Sequence, residues 1–383
     1  MIIPPKASSD AGDTKMASPL KTDTERLDDA LNALRASKIE AADLRRTLTQ
    51  IRTENDTAEA IRETIWELAA HNPEPPAWIS GRSGRIGMRG CPITVWSDPH
   101  YGEVVDPDQV NGVNDYNKNV AKRRLFRLYD TTVDLSFHHM GRANTVYPGI
   151  IVCLGGDMIG GDIHEELVAT GDRTPQQAVN DLTDILAAGI ENMALKFGRV
   201  YVPSVVGNHG RSTRKPRMKN RVFTNYDWSI YCNLARHFKK EKHIRIDVPN
   251  GADVHFKSYG MRYMLTHGDS LGVKGGDGII GAIGPIMRGS IKLGRQTHQI
   301  GLDFDHLIMC HWHQMLWLPG VTVNNSIKGY DEYTALGLRA PASVPSQALW
   351  FNHPEWGVTA RWEILLEGRK KAQQDKKWVS WQE

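Results

Sequence analysis

The chain has 383 residues, 40% of them apolar and 24% charged, enough for one large α/β domain with a sizeable core and an accessory segment. A net charge of +3 is too small to mark the whole surface as a polyanion binder, so any basic region has to be local. The four cysteines, Cys91, Cys153, Cys232 and Cys310, form no Cys-x-x-Cys pair, which argues against a cysteine zinc site or a disulfide framework and for a reducing, cytoplasmic setting.

The start of the chain lacks the charged head and apolar segment of a secretion signal. The most apolar stretch elsewhere, residues 278–287, is short and broken by glycine and proline. No membrane partner is expected.

Residues 1–21 are rich in Ser, Pro, Ala, Lys and Asp without periodicity and read as a disordered tail. From Thr22, a capping-box pair with Glu25 precedes apolar positions at helical spacing: Leu27, Leu31 and Leu34, then Leu44, Leu48 and Ile51, then Ile61, Ile65 and Leu68. Residues 22–71 are therefore expected to form a helical segment, either a small packing bundle or an arm for oligomerisation or partner binding. Residues 72–90, with Pro73, Pro75 and Pro76 followed by Gly81, Gly84, Gly87 and Gly90, read as a linker. The catalytic domain is expected over 91–368, and residues 369–383 form a charged C-terminal tail.

Within that domain, short apolar runs expected to be strands end five times in polar side chains able to bind metal. Ile93-Thr-Val-Trp96 leads into Asp98 and His100; Gly149-Ile-Ile-Val-Cys-Leu154 into Gly156-Asp157; Val200-Tyr-Val-Pro-Ser-Val-Val206 into Gly207-Asn208-His209. Met261-Arg-Tyr-Met-Leu265 leads into His267, and Leu307-Ile-Met309 into Cys310-His311-Trp312-His313. Side chains at the carboxyl ends of neighbouring strands converge on one crevice. A two-residue step on extended backbone would turn Asp98 and His100, or His311 and His313, to one side.

Asp-x-His, Gly-Asp, Gly-Asn-His, His and x-His-x-His in this order resemble the calcineurin-like metallophosphoesterases over residues 93–326. The resemblance implies two facing mixed β-sheets flanked by helices, a four-layer α/β sandwich. It also implies two divalent cations. Asp98, His100 and His313 would hold the first, Asn208, His267 and His311 the second, and Asp157 would bridge them. In the family a hydroxide shared by the metals attacks phosphorus, and His209, which is not a ligand, protonates the leaving oxygen. Two cations about 3.5–4 Å apart neutralise the phosphate and lower the pKa of water. The mixed nitrogen and oxygen donors suit manganese first, with iron, zinc or nickel as alternatives. Two positions depart from the pattern: Cys310 stands where the family has glycine, and Gly210 replaces the acid that often follows Gly-Asn-His. The layout, including Gly329-Tyr-Asp-Glu-Tyr, is also similar to phosphoesterases encoded by tailed bacteriophages, which would place the chain in a host cytoplasm.

Six basic residues crowd residues 211–221 beside His209. Arg211 is the candidate clamp for the scissile phosphate, with Arg214 and Lys215 as further substrate contacts. His164, on the glycine-rich stretch after Asp157, is a candidate substrate contact because loops at strand ends commonly carry function. Asp269 is a candidate to orient His267 through its second nitrogen, and the glycine-rich basic residues 272–295 read as a mobile lid. The reading favoured by these features is a phosphodiesterase acting on DNA or RNA. A protein or small-molecule phosphomonoesterase and a non-catalytic scaffold in a nucleic-acid complex are the alternatives.

Overall fold

In the computed structural model of the chain, the described residues are 76, 78, 90–139, 146–271 and 282–368, all within the compact unit Thr64–Glu383. The expected tail at 1–21, the helical segment at 22–71 and the C-terminal tail at 369–383 lie outside them. So does the linker, apart from Pro76, Trp78 and Gly90. Trp78 is more than a linker residue, since it packs against the core between the sheets and fills the space where a Cβ on Gly149 would stand 2.6 Å from its ring.

In chain order the strands are β1 (Cys91–Trp96), β2 (Ile150–Leu154), β3 (Val200–Pro203), β4 (Ile244–Asp247), β5 (Asp253–Ser258), β6 (Met261–Thr266), β7 (His306–Met309), β8 (Leu316–Leu318), β9 (Val321–Val323), β10 (Ser346–His353) and β11 (Gly357–Leu365). The helices are α1 (Lys118–Asp134), α2 (Glu165–Thr170), α3 (Pro175–Phe197), α4 (Tyr226–His237) and α5 (Ile283–Gln299). Two mixed sheets result, ordered β11-β10-β1-β2-β3-β4 and β5-β6-β7-β9-β8. The chain thus has the expected α/β architecture of two mixed sheets flanked by helices.

The near-continuous apolar runs of the central strands follow from burial on both faces. Ile150, Val152 and Leu154 of β2 face one core while Ile151 and Cys153 face another. The same alternation separates Tyr263 and Leu265 from Met264 in β6. One face of the first sheet packs on α1, α3 and α4, the two sheets pack on each other, and α5 covers the outer face of the second. Burying one such side chain stabilises the fold by about 1.5–3 kcal/mol. Strands β1, β2 and β3 are parallel neighbours, as are β6 and β7, so their carboxyl ends lie along one edge.

The helices start where local chemistry prepares them. Asn117 accepts from the N–H groups of Asn119 and Val120 at the head of α1. Thr174 and Gln177 form a capping box, with Pro175 in the first turn of α3. The expected lid is corrected in its second half, where Ile283–Gln299 is a helix rather than a loop. Ile286, Gly289, Leu293 and Thr297 recur at helical spacing, and Gly289 lets the helix approach Leu271, whose side chain would stand 3.0 Å from an added Cβ. Residues 272–281 are outside the described set. Among the described residues, no helix is long and apolar enough to cross a membrane.

Candidate metal centre

The loops that leave β1, β2, β3, β6 and β7 bring Asp98, His100, Asp157, Asn208, His267, His311 and His313 together. Asp98, His100, Asp157 and His267 are almost fully buried. Their placement corrects the expectation of extended two-residue steps. Asp98, His100, Asp157, His311 and His313 all have left-handed backbone, with φ of 54°, 43°, 50°, 72° and 50°. Such residues cost roughly 1–3 kcal/mol each and persist only where their surroundings over-determine them.

Here the loops are stitched to one another. The N–H groups of Asp98 and His100 donate to the carbonyls of Gly156 and Asp157, that of Lys328 to Asp98, and that of Cys310 to His267. The Ser326 hydroxyl also donates to the Asp98 carbonyl. Asn324 and Gln347 complete a buried polar network around Ser97.

The side chains fall into two overlapping groups. In the first, His313 Nε2 lies 3.3 Å from Asp98 Oδ1 and 3.2 Å from His100 Nε2. In the second, His267 Nε2 lies 3.1 Å from Asp157 Oδ2 and 3.2 Å from Asn208 Oδ1, and His311 joins them. Asp157 Oδ2 also stands 3.9 Å from His100 Nε2, between the two groups, while Oδ1 accepts the His209 backbone N–H at 2.7 Å.

Both oxygens of Asp98 and Oδ2 of Asp157 are buried without a hydrogen-bond partner. Buried carboxylate oxygens left in this way are costly unless a cation faces them. The donors therefore fit bound metal.

The electrostatics agree with that fit. Burial pushes the Asp157 carboxyl up, but His267 and His209 outweigh it and hold the group well below the carboxylate range. Burial likewise opposes ionisation of Asp98, and His313 lowers it. Against its own burial, His267 is raised to about 10 by Asp157, whereas burial lowers His311 to about 4.

Two histidines are oriented through their far nitrogens. His267 Nδ1 faces the Gly155 carbonyl at 2.8 Å, so the expected role of Asp269 is corrected: its carboxylate instead accepts from Arg221 at 2.7 Å. His100 Nδ1 faces Glu103 Oε1 at 2.8 Å. Glu103 is itself held by Lys328 Nζ at 2.7 Å, and that ammonium also meets Asp331 at 2.6 Å.

His209 lies among the candidate ligands, its ring centroid 4.5 Å from that of His100, and with His100 and Asp157 it forms a further group of metal-competent atoms. Its Nδ1 is 3.3 Å from the Gly160 carbonyl, and burial lowers it to about 4. The His164 ring stands 5.6 Å from that of His209. Arg211 adjoins the centre with its guanidinium donating to the carbonyls of Asn208 at 2.7 Å and Thr213 at 3.1 Å. Arg214 and Lys215 are exposed on the loop, Arg214 paired with Glu165.

Both departures from the sequence pattern have a packing reason. The Cys310 thiol is buried between the sheets and occupies the place of a side chain on Gly155, so it does not crowd His311. A Cβ on Gly210 would meet Asn225 Oδ1 at 2.4 Å and Asp227 Oδ1 at 2.7 Å. Asp227, at the head of α4, accepts the N–H groups of Gly207 and Met158 and so ties the Asn208 loop to the Asp157 loop; burial raises it to about 7.

Glu103, Lys328, Asp331 and Asp227 were not legible as site residues. Glu103 follows His100 by three positions, but only folding brings Lys328 to it.

No family model matches the chain, and no curated protein does. Among solved structures, the chain is similar to a single mutant of Vps29 from Entamoeba histolytica, with 14% identity, 71% of this chain and 98% of that one covered, and a TM-score of 0.29. It is also similar to Vacuolar Protein Sorting 29 from Cryptosporidium parvum (11%, 72% and 98%, TM-score 0.28). A putative 5'-nucleotidase from Staphylococcus aureus gives 10% identity, 75% and 56% coverage and a TM-score of 0.33. Likeness at this level transfers no activity.

Proposed function

We propose that the chain is a two-metal phosphodiesterase acting on nucleic acid. The observation that carries this reading is the pair of buried donor groups meeting at Asp157, whose carboxylates at Asp98 and Asp157 face only histidine nitrogens among the described residues. Asp98, His100, His313 and Asp157 would hold one cation, and Asp157, Asn208, His267 and His311 the other, with manganese the first choice for this donor set. When bound, the ions neutralise phosphate oxygens and lower the pKa of water.

The chain's own groups do the rest. His209 keeps Nδ1 on the Gly160 carbonyl, leaving Nε2 to give a proton to the departing alkoxide oxygen. Burial alone disfavours the charged imidazole, and the anionic substrate is the partner that restores it. Arg211, anchored beside Asn208, offers guanidinium N–H groups to a phosphate oxygen. His164 walls the cleft beside His209. The basic residues of 211–221 follow the next phosphates.

One observation favours a second reading, hydrolysis of a small phosphomonoester. Three of the six basic residues are already engaged, Arg211 by carbonyls, Arg214 by Glu165 and Arg221 by Asp269. Manganese-loaded protein assayed in parallel on bis-p-nitrophenyl phosphate, p-nitrophenyl phosphate and single- and double-stranded DNA and RNA separates the two. Cleavage of the diester and of nucleic acid is expected. Turnover of the monoester alone would reverse the order, and inactivity on every substrate would favour a non-catalytic scaffold.

A further inference from the structure

The stretch after β3 supplies His209 with no carboxylate, because Gly210 takes the following position and Asn225 and Asp227 fill the space a side chain would need there. The Gly160 carbonyl at 3.3 Å is a long, neutral partner for His209 Nδ1, weaker than a carboxylate at holding the geometry that acid catalysis needs. The fold provides a partner from a different loop.

Glu103 Oε1 lies 2.8 Å from His100 Nδ1 and also 3.6 Å from His209 Nδ1. The two rings stand edge to face at 81°, so one carboxylate reaches the far nitrogen of both. Its position is over-determined. Oε2 is held by the buried Lys328 ammonium, and Lys328 is steadied by Asp331. The backbone around Lys328 is fixed by Arg124, buried on α1, whose guanidinium donates to the Ile327 carbonyl at 2.9 Å and to that of Lys328. Gly160 leaves the necessary room, since a Cβ there would lie 2.4 Å from Glu103 Cγ. His209 Nδ1 thus faces the Gly160 carbonyl at 3.3 Å, with the Glu103 carboxylate 3.6 Å away as its electrostatic partner.

We propose that Glu103, braced by Lys328, is a shared positioning residue: one carboxylate orients the metal-ligand candidate His100 and the leaving-group acid His209 together. The assignment rests on the proposed phosphodiesterase reading for its catalytic consequence, and on geometry alone for the orientation of the ring. It makes the proton donor and one metal ligand respond to the same buried group.

The test uses Glu103→Gln in the full-length chain, a substitution of equal size that leaves Lys328 its contact with Asp331. Manganese-loaded wild type, Glu103→Gln, His209→Ala and the double variant are compared on two diesters. Bis-p-nitrophenyl phosphate has a leaving group that departs unaided, and a thymidine dinucleotide has an alkoxide that requires a proton. Glu103→Gln is expected to lower kcat on the dinucleotide by roughly 10- to 100-fold, the usual effect of losing such an outer partner. It should lower kcat on the nitrophenyl diester by a smaller factor, the part of the loss that passes through His100, because nitrophenolate needs no acid. In the His209→Ala background the same substitution should lower dinucleotide turnover only by the smaller factor seen with the nitrophenyl diester.

Equal losses on both esters, or an undiminished loss on the dinucleotide without His209, would show that Glu103 serves His100 alone and overturn the proposal. A readout independent of activity is the His209 Nδ1–H resonance in 15N-histidine-labelled protein, which should be present in the wild type and shift in Glu103→Gln. An unchanged resonance overturns the positioning role. A shifted resonance in protein that cleaves neither ester would instead sink the phosphodiesterase reading and leave the positioning role standing.

Discussion

The two halves of the centre are built differently. The half around Asp98, His100 and His313 is closed behind by Glu103, Lys328 and Asp331, all nearly inaccessible, and presents two carboxylates with Asp157. The half around Asn208, His267 and His311 has an amide in place of the second carboxylate. Its His267 is braced by a neutral carbonyl, and it opens into the basic loop through His209 and Arg211. A carboxylate behind a ligand histidine raises its basicity, and the number of charged ligands sets cation affinity. On the proposed function, the first half is expected to bind metal more tightly and the second to face the substrate.

The largest effect should come from the residue the halves share. Asp157→Asn is expected to lower turnover by about three orders of magnitude or more, since several kcal/mol of charge stabilisation are lost at about 1.4 kcal/mol per tenfold. Metal analysis should show both ions weakened, and two ions retained at full affinity would remove Asp157 from the bridge. Asp98→Asn should sharpen the comparison further. In a manganese titration of the wild type two steps are expected, and this variant should weaken the tighter step by roughly tenfold or more while sparing the other. A loss confined to the weaker step would invert the assignment.

A smaller effect is expected on the open side. Replacing Arg214, Lys215, Arg217 and Lys219 with alanine should weaken nucleic-acid binding by about tenfold at low salt and flatten its salt dependence, because each phosphate contact releases counterions. Hydrolysis of bis-p-nitrophenyl phosphate should barely change. Unaltered affinity and salt slope would move the small-substrate reading ahead.

The smallest effect concerns the closed side and acid. Burial opposes ionisation of Glu103 and Asp331, but Lys328 outweighs it and holds both carboxyls below their ordinary values. A depressed carboxyl contributes stability above its unfolded pKa and loses it as pH falls toward the folded one. Urea unfolding should therefore show stability declining below about pH 4, by on the order of 1–2 kcal/mol across the cluster. The decline should be shallower in a Glu103→Gln, Asp331→Asn double variant, and an equal slope in both proteins would exclude the cluster as its source.

The five strands that deliver the candidate ligands could be read directly from the chain, as could the residues at their ends. Runs such as Ile150–Leu154 are apolar on both faces because both faces are buried, and a strand end is adjacent in sequence to the ligand it delivers. Asp98, His100, Asp157, Asn208, His267, His311 and His313 were legible for that reason.

What periodicity could not supply was backbone conformation at those ends. Alternation predicts extended pairs, whereas Asp98 and His100 are left-handed because contacts with Gly156, Asp157, Ser326 and Lys328 hold them so. Glycines also misled: Gly284, Gly289 and Gly294 suggested a loop, but close packing of Gly289 on Leu271 lets residues 283–299 form a helix.

The sequence by itself determined five strands and the order of the candidate metal-binding residues at their ends, because those are local properties of residue type and spacing. Only the tertiary structure decided how the centre is supported. Glu103 meets Lys328 across 225 positions, His267 leans on the Gly155 carbonyl rather than on nearby Asp269, and Asp227 joins two loops it does not adjoin in sequence. Such partners are chosen by which groups need a hydrogen bond once water is excluded, and that need exists only after the sheets have packed.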